Sequence, residues 1–141
     1  MIVDTSALVA ILFDESDAQA YARAIAGAET SRLSAASFVE TAIVVEAQAK
    51  NGGRGQFDAL IRRAGIIIEP VTEEQAHIAR QAYTDFGKGR HPAGLNFGDC
   101  FAYALAKLTA EPLLFKGEDF SKTDITPALP PTTPRKQPRR K

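Results

Sequence analysis

The clearest signal of secondary structure comes from the first eight residues, Met1-Ile2-Val3-Asp4-Thr5-Ser6-Ala7-Leu8. Three apolar residues end at Asp4, and a helical pattern of apolar positions then begins at Thr5 or Ser6 and continues to Phe13. This predicts a short strand followed at once by a helix. Ligands of α/β sheets bind at the carboxyl ends of the strands, which makes Asp4 a candidate for a functional site. Asp4 is also a suitable N-cap for the helix, and spacing alone supports the two interpretations equally.

Short apolar runs and longer helical patterns alternate along the rest of the chain. Further strands are predicted at residues 31–34, 66–68 and 113–115, and helices at residues 15–28, 34–50, 56–64, 72–86 and 96–110. The β-branched run 66–68 is typical of a buried parallel strand. The pattern predicts an α/β fold, in which helices cover both faces of a short parallel sheet in three α/β/α layers. We expect one domain over residues 1–129 and a disordered, basic, proline-rich tail over residues 130–141.

Composition and charge narrow the class of protein. The chain has 17 Lys and Arg and 17 Asp and Glu, but five of the cations lie in the last eleven residues, which leaves 12 cations against 17 acids in residues 1–130. With this excess of acids, residues 1–130 need clustered cations or metal ions in order to bind a polyanion. No apolar run is long enough to span a bilayer and no signal sequence is evident, so we expect a cytoplasmic protein that does not bind membranes. A single cysteine, Cys100, excludes an internal disulfide framework.

Glu40 is an acid in an apolar part of a predicted helix. Its neighbours at helical spacing are Ile43, Val44 and Ala47, which predicts that Glu40 faces inward. An unpaired carboxylate on an apolar face costs several kcal/mol, so a metal ion or a cation is expected beside it. A buried salt bridge remains the alternative explanation.

Asp99 lies in the first turn of the helix predicted to begin at Asn96, where the helix dipole favours an acid. Phe97, Phe101, Leu105 and Leu108 would form one apolar stripe of this helix, with Asp99 on the other side among alanines. Those small neighbours would leave room for an ion, although a purely structural acid is also consistent with the position.

Asp119 follows the last predicted strand and could add a fourth ligand at the same edge of the sheet. Carboxylate oxygens, without cysteine or histidine pairs at zinc spacing, select Mg²⁺, with Mn²⁺ as a substitute. Such an ion activates water and neutralises a scissile phosphate, which suggests phosphate chemistry.

Four segments resemble the toxins of the VapC type, which are PIN-domain proteins of bacterial and archaeal toxin–antitoxin pairs. They are Ile2-Val3-Asp4-Thr5-Ser6-Ala7-Leu8, Ser37-Phe38-Val39-Glu40-Thr41-Ala42, Leu95-Asn96-Phe97-Gly98-Asp99-Cys100 and Pro112-Leu113-Leu114-Phe115-Lys116-Gly117-Glu118-Asp119-Phe120. The resemblance covers residues 1 to about 129. It implies a PIN-like fold and a metal-dependent endoribonuclease that cleaves cellular RNA, often a transfer RNA, with Asp4, Glu40 and Asp99 as its acidic set.

The resemblance also implies partners and supporting residues. The partners are a VapB-type antitoxin, the RNA substrate, and a second copy of the chain in a homodimer that enters toxin–antitoxin hetero-oligomers. Thr5 or Ser6 would support the acids by hydrogen bonding, Asn96 and Lys116 would contact substrate or a carboxylate, and Arg90 and His91 would face RNA. Family members place the fourth acid at the position of Gly117 or of Asp119, so Asp119 could instead cap the following turn.

Two other classes of function are consistent with parts of the pattern. Val3-Asp4-Thr5 at a strand end could form a covalent phosphoaspartate in an aspartyl phosphotransferase, but such enzymes need a second Asp where this chain has Ser6. The other class is a PIN-like module that binds RNA or a protein partner without cutting.

Overall fold

Four short parallel strands lie at the centre of the structure, a computed structural model that describes residues 1–49 and 52–130. They are β1 (Ile2–Val3), β2 (Arg32–Ser34), β3 (Ile67–Glu69) and β4 (Leu113–Leu114). Their order across the sheet is β3-β2-β1-β4. Ile2 pairs with Arg32 on one side and with Leu113 on the other. The first strand is therefore an inner strand, and Asp4 directly follows it.

Helices cover both faces of this sheet. Over the same residues they are α1 (Thr5–Leu12), α2 (Ala18–Gly27), α3 (Ala35–Gln48), α4 (Gly53–Ala64), α5 (Glu73–Phe86) and α6 (Phe97–Thr109), with a short 3-10 helix at Phe120–Lys122. Successive strand residues point to opposite faces. Ile2 and Leu113 accordingly pack with α5 and α6, whereas Val3 and Leu114 pack with α1, α2 and α4. The three-layer α/β/α prediction is confirmed.

Polar caps determine where four of the helices begin. Asp4, Ser34, Thr72 and Asn96 each accept a hydrogen bond from a backbone N–H in the first turn of α1, α3, α5 and α6, respectively. Asp4 is the N-cap that the sequence predicts, and Ser34, Thr72 and Asn96 are the first residues of the helices predicted at 34–50, 72–86 and 96–110. Because unsatisfied N–H groups at a helix start are costly, these caps hold each helix start in place.

Three sequence-based predictions of local structure are wrong. The helix expected from residue 15 begins at Ala18, because the backbone N–H of Ala18 closes a turn onto the carbonyl of Glu15. The helix expected from residue 56 begins earlier, at Gly53. The run 66–68 does not form a buried strand, since β3 is at the edge of the sheet and Ile67 and Ile68 are 46% and 41% exposed.

The apolar stripe predicted for α6 is wrong at its ends. Phe97 is 80% exposed and Leu108 is 38% exposed, whereas Ala102 and Ala106 are buried. Small side chains permit close packing, so the alanine side of α6 faces the core and Phe97 projects outward. No helix of residues 1–49 and 52–130 has both the length and the apolarity needed to cross a membrane. The tail predicted for residues 130–141 lies, from residue 131 onward, outside the described residues.

Leu33→Ala should lower the free energy of unfolding by about 2–5 kcal/mol, because Leu33 is fully buried on an inner strand and the substitution leaves a cavity. Ile68→Ala is the matched control, since Ile68 pairs with Leu33 across the two strands but is 41% exposed. Its loss in urea denaturation should be clearly smaller. Equal losses for the two variants would contradict the assignment of β3 as the exposed edge.

Candidate metal centre

Asp4 is buried at the end of β1 and makes two hydrogen bonds with one of its oxygens. Its Oδ2 accepts from the backbone N–H of Ser6 at 3.0 Å and from the Ser6 hydroxyl at 2.6 Å. No hydrogen bond from the described residues reaches Oδ1. The helix therefore uses one carboxylate oxygen and leaves the other for a ligand, so the capping and site interpretations of Asp4 are compatible.

Ser6 also connects Asp4 to the strand beside β1. The backbone N–H of Lys116, just beyond β4, donates to the Ser6 hydroxyl oxygen at 2.9 Å. The side chain of Lys116 turns away and pairs with the carboxylates of Glu15 and Asp17. Within the described residues the Lys116 ammonium therefore pairs with none of the four predicted acids, and its contact with substrate stays a prediction.

Glu40 is half-buried on α3, and its position was predicted only in part. Ile43, expected to share its inward face, is 63% exposed, because the buried face of α3 consists of Ser37, Thr41 and Val45. The Glu40 carboxylate instead lies against Gly98 of α6, so closely that a Cβ on Gly98 would overlap it.

The side chain of Thr5 joins α1 to α3, and its hydroxyl makes no hydrogen bond with the four acids in the described residues. Its hydroxyl donates to the carbonyl of Ser37 at 3.2 Å and accepts from the Thr41 hydroxyl at 3.0 Å. These buried bonds fix the helix that carries Glu40 relative to the helix that follows Asp4.

Asp99 and Asn96 form a reciprocal cap at the start of α6. The Asn96 side-chain oxygen accepts from the Asp99 backbone N–H, and Asp99 Oδ2 accepts from the Asn96 backbone N–H, both at 3.0 Å. Asp99, like Asp4, uses one oxygen for the helix, and no hydrogen bond from the described residues reaches its Oδ1.

Asp119 is exposed and precedes the short helix Phe120–Lys122. Its side chain makes no capping hydrogen bond there, so the capping alternative is wrong. Arg90 lies elsewhere, in the loop before α6, with its guanidinium 5.8 Å from the centre of the Tyr83 ring. His91 is in the same loop, where its Nδ1 accepts from the backbone N–H of Ala93.

Electrostatics show that the structure brings the four predicted acids together. Burial raises the pKa of Asp99 to about 7, against a lowering by its hydrogen bond with Asn96, and the charges of Asp4, Glu40 and Asp119 raise it further. Burial likewise raises the pKa of Asp4, against the hydrogen bonds from Ser6, with Glu40 adding to the rise. Carboxylates that repel one another in this way lower their energy by binding a cation.

The donor set fits a hard divalent cation. Across residues 1–49 and 52–130, no Lys, Arg or His forms an ion pair with any of the four acids, which excludes the salt-bridge explanation for Glu40 within that part of the chain. In the same residues, no three His, Cys, Asp or Glu side chains are arranged ready to hold a metal. The support for a metal therefore comes from the oxygen chemistry and the uncompensated charge of the four acids.

Sequence reasoning missed the contact between Gly98 and Glu40. A glycine inside a helix costs up to about 1 kcal/mol relative to alanine, so Gly98 beside a candidate acid was a signal of close approach. The bonds of Thr5 with α3 gave no such signal, because they depend on which helices pack together.

The comparisons with known proteins agree on one family. The PIN domain family matches residues 1–125. The chain is 57% identical over 130 residues to ribonuclease VapC28 of Mycobacterium tuberculosis, covering 92% of this chain and 98% of that protein. It is 51% identical over 125 residues to ribonuclease VapC of Mycolicibacterium smegmatis, covering 89% of this chain and 97% of the other.

A solved structure shows the same fold. The M. tuberculosis toxin VapC20, described as cleaving the sarcin-ricin loop, superposes with a TM-score of 0.72 at 18% identity and covers 89% of this chain and 95% of that one.

In metal-free protein, stability should depend on pH through Asp99. The pKa of Asp99 is about 7 in the folded protein against an ordinary value of 3.8, so between these values the folded state holds a proton that the unfolded state has lost. The Asp99 contribution to the free energy of unfolding therefore falls as pH rises from about 4 to 7. Relative to wild type, Asp99→Asn should be more stabilising at pH 8 than at pH 5 in urea denaturation with EDTA. Parallel pH profiles would contradict this.

Proposed function

The chain belongs to the PIN domain family and, within it, to the VapC ribonucleases, and from this premise we propose that it is a Mg²⁺-dependent endoribonuclease. In this proposal Asp4, Glu40 and Asp99 hold the metal, Asp119 is a fourth ligand, and Mn²⁺ can replace Mg²⁺. The substrate is cellular RNA, with transfer RNA as the first candidate. The observation that carries the proposal is the proximity of four acids, three of which raise the pKa of Asp99, with none of the four paired with a cation in the described residues.

A bound Mg²⁺ would supply charge neutralisation at the scissile phosphate and acidify a water molecule for attack. The protein's own residues set the geometry around it. Ser6 orients the Asp4 carboxylate, and Asn96 orients that of Asp99, so that the remaining oxygen of each acid is available as a ligand. Thr5 holds α1 and α3 together and thereby positions Glu40.

Two cations are proposed to contact the RNA. The backbone of Lys116 lies next to Ser6, and its ammonium group is paired with Glu15 and Asp17 rather than with the four acids. Arg90, in the loop before α6, is exposed and reaches the side of the molecule formed by α5. Arg90 forms no ion pair within the described residues and would contact a phosphate directly, whereas Lys116 would exchange its pairs with Glu15 and Asp17 for one.

The biological role proposed is that of the toxin of a type II toxin–antitoxin system, acting in the cytoplasm. A toxin–antitoxin complex from Klebsiella pneumoniae shares the fold, with a TM-score of 0.64 at 17% identity, covering 87% of this chain and 92% of that one. We propose a VapB-type antitoxin as the inhibitor, and a homodimer of this chain within the hetero-oligomer. Unpaired acids suit inhibition by an Arg or Lys of the antitoxin.

Purified wild-type protein should cut total cellular RNA into discrete fragments with Mg²⁺ or Mn²⁺ and not with EDTA. Asp99→Asn should reduce the rate roughly a hundredfold or more, because electrostatic stabilisation of the transition state is lost. Asp58→Asn is the control, since it removes an exposed carboxylate on α4 and should leave the rate unchanged. If folded, antitoxin-free protein cuts nothing with either metal, the alternative of a non-cutting binding module replaces this proposal.

Co-expression with the product of the neighbouring small gene should relieve growth arrest and yield a stable complex. Addition of that partner to the purified nuclease should abolish cleavage at equal concentrations, because its cation would neutralise the acids. If the complex forms but cleavage is unchanged, the proposal that the antitoxin acts at these acids is wrong.

A further inference from the structure

A groove of about 550 Å³ runs between α5 and α6. Its surface is mainly apolar, and the lining residues that matter here are Arg80, Tyr83, Lys88, Asn96, Phe97 and Phe101. The proposed function assigns no role to this groove. It is separate from the four carboxylates but adjoins them, because Asn96 lines it while bonding to Asp99.

Three aromatic rings line the groove. Phe97 is 80% exposed and stands edge-on to Phe101, with 5.0 Å between the ring centres. Tyr83, across the groove on α5, is 41% exposed. Exposure of aromatic rings to water costs free energy, so rings held at a surface in this way favour contact with another flat apolar group.

Cations surround these rings, and acids are missing from the lining. Arg80 and Lys88 line the groove, and Arg90 sits over the Tyr83 ring. Within residues 1–49 and 52–130 none of the three forms an ion pair, and no Asp or Glu lines the groove. Since residues 1–130 carry more acids than cations overall, this is the local clustering of cations that an otherwise acidic body needs in order to receive a polyanion.

We propose that the groove between α5 and α6 binds an unstacked base of single-stranded RNA next to the acidic site. The base lies against Phe97 and Tyr83, and Arg80 and Lys88 contact the phosphates on either side of it. Single-stranded nucleic acid is recognised by this combination of aromatic platforms and a cationic track. The proposal rests on the proposed function for the identity of the nucleic acid, and charge complementarity favours RNA over a neutral apolar partner.

Phe97→Trp provides a direct probe, because the chain contains no tryptophan. The variant is made in the Asp99→Asn background and studied in EDTA, so that RNA is bound but not cut. A single-stranded oligoribonucleotide of about eight nucleotides, within the usual site size, should quench its fluorescence saturably. A strand with the same phosphates but abasic residues, and a duplex of the same sequence, should quench it little.

Leu108→Trp is the matched control. Leu108 lies near the other end of α6, is partly exposed and does not line the groove, so its tryptophan should not respond to the single strand. Phe97→Ala should weaken binding of the single strand roughly 5- to 100-fold, the loss typical of removing one stacking ring. Phe97→Trp should retain wild-type affinity.

The outcomes separate this inference from the proposed function. Equal binding of the intact and abasic strands would overturn it, because phosphate contacts alone would then explain affinity. A Phe97→Trp signal that changes with protein concentration without RNA, together with loss of self-association in Phe97→Ala by sedimentation, would assign the groove to a second copy instead. If the quenching depends on the bases but wild-type protein shows no metal-dependent cleavage, the base-binding proposal for the groove is supported and the proposed nuclease function is wrong.

Discussion

Four carboxylates lie at one edge of the sheet, and the repulsion that their charges exert on Asp99 is an electrostatic cost of this fold. Asp4 and Asp99 are far apart in the chain but close enough in the fold for their charges to interact. The charges of Glu40 and Asp119 add to the cost of ionising Asp99. A fold that concentrates like charge in this way loses stability unless a cation binds, and this loss is typical of a functional site rather than of a structural one. The surrounding contacts serve to hold these groups in place despite the repulsion.

Helix capping provides several of the contacts that keep these carboxylates in place. Asp4 and Asp99 each give one oxygen to the first turn of a helix, and Ser6 and Asn96 complete the two arrangements. A carboxylate held through one oxygen has fewer orientations to lose when the other oxygen meets a metal ion, which lowers the entropic cost of binding. Because the backbone N–H groups also stabilise negative charge, the same bonds partly offset the repulsion.

The sequence predicts those parts of the molecule that depend on local patterns. Asp4, Thr72 and Asn96 are recognisable as caps from their neighbours, and the parallel α/β architecture follows from the alternation of strands and helices. Tertiary packing decides the rest. The burial of Glu40 could not be derived from its own helix, because it depends on Gly98 of α6, and the exposure of Phe97 depends on the alanines that bring the other side of α6 into the core.

The exposure of Phe97 follows from the same packing that places Asp99. Gly98 lets α6 approach α3 at the Glu40 carboxylate, and the alanine face beyond it turns toward the core, so the residue before Gly98 points outward beside the acids. Arg80 and Lys88 then give this side of an otherwise acidic body a positive rim. A polyanion that approaches the four carboxylates directly would be repelled, whereas one that enters along the groove between α5 and α6 meets Arg80 and Lys88 and reaches the acids beside Asn96.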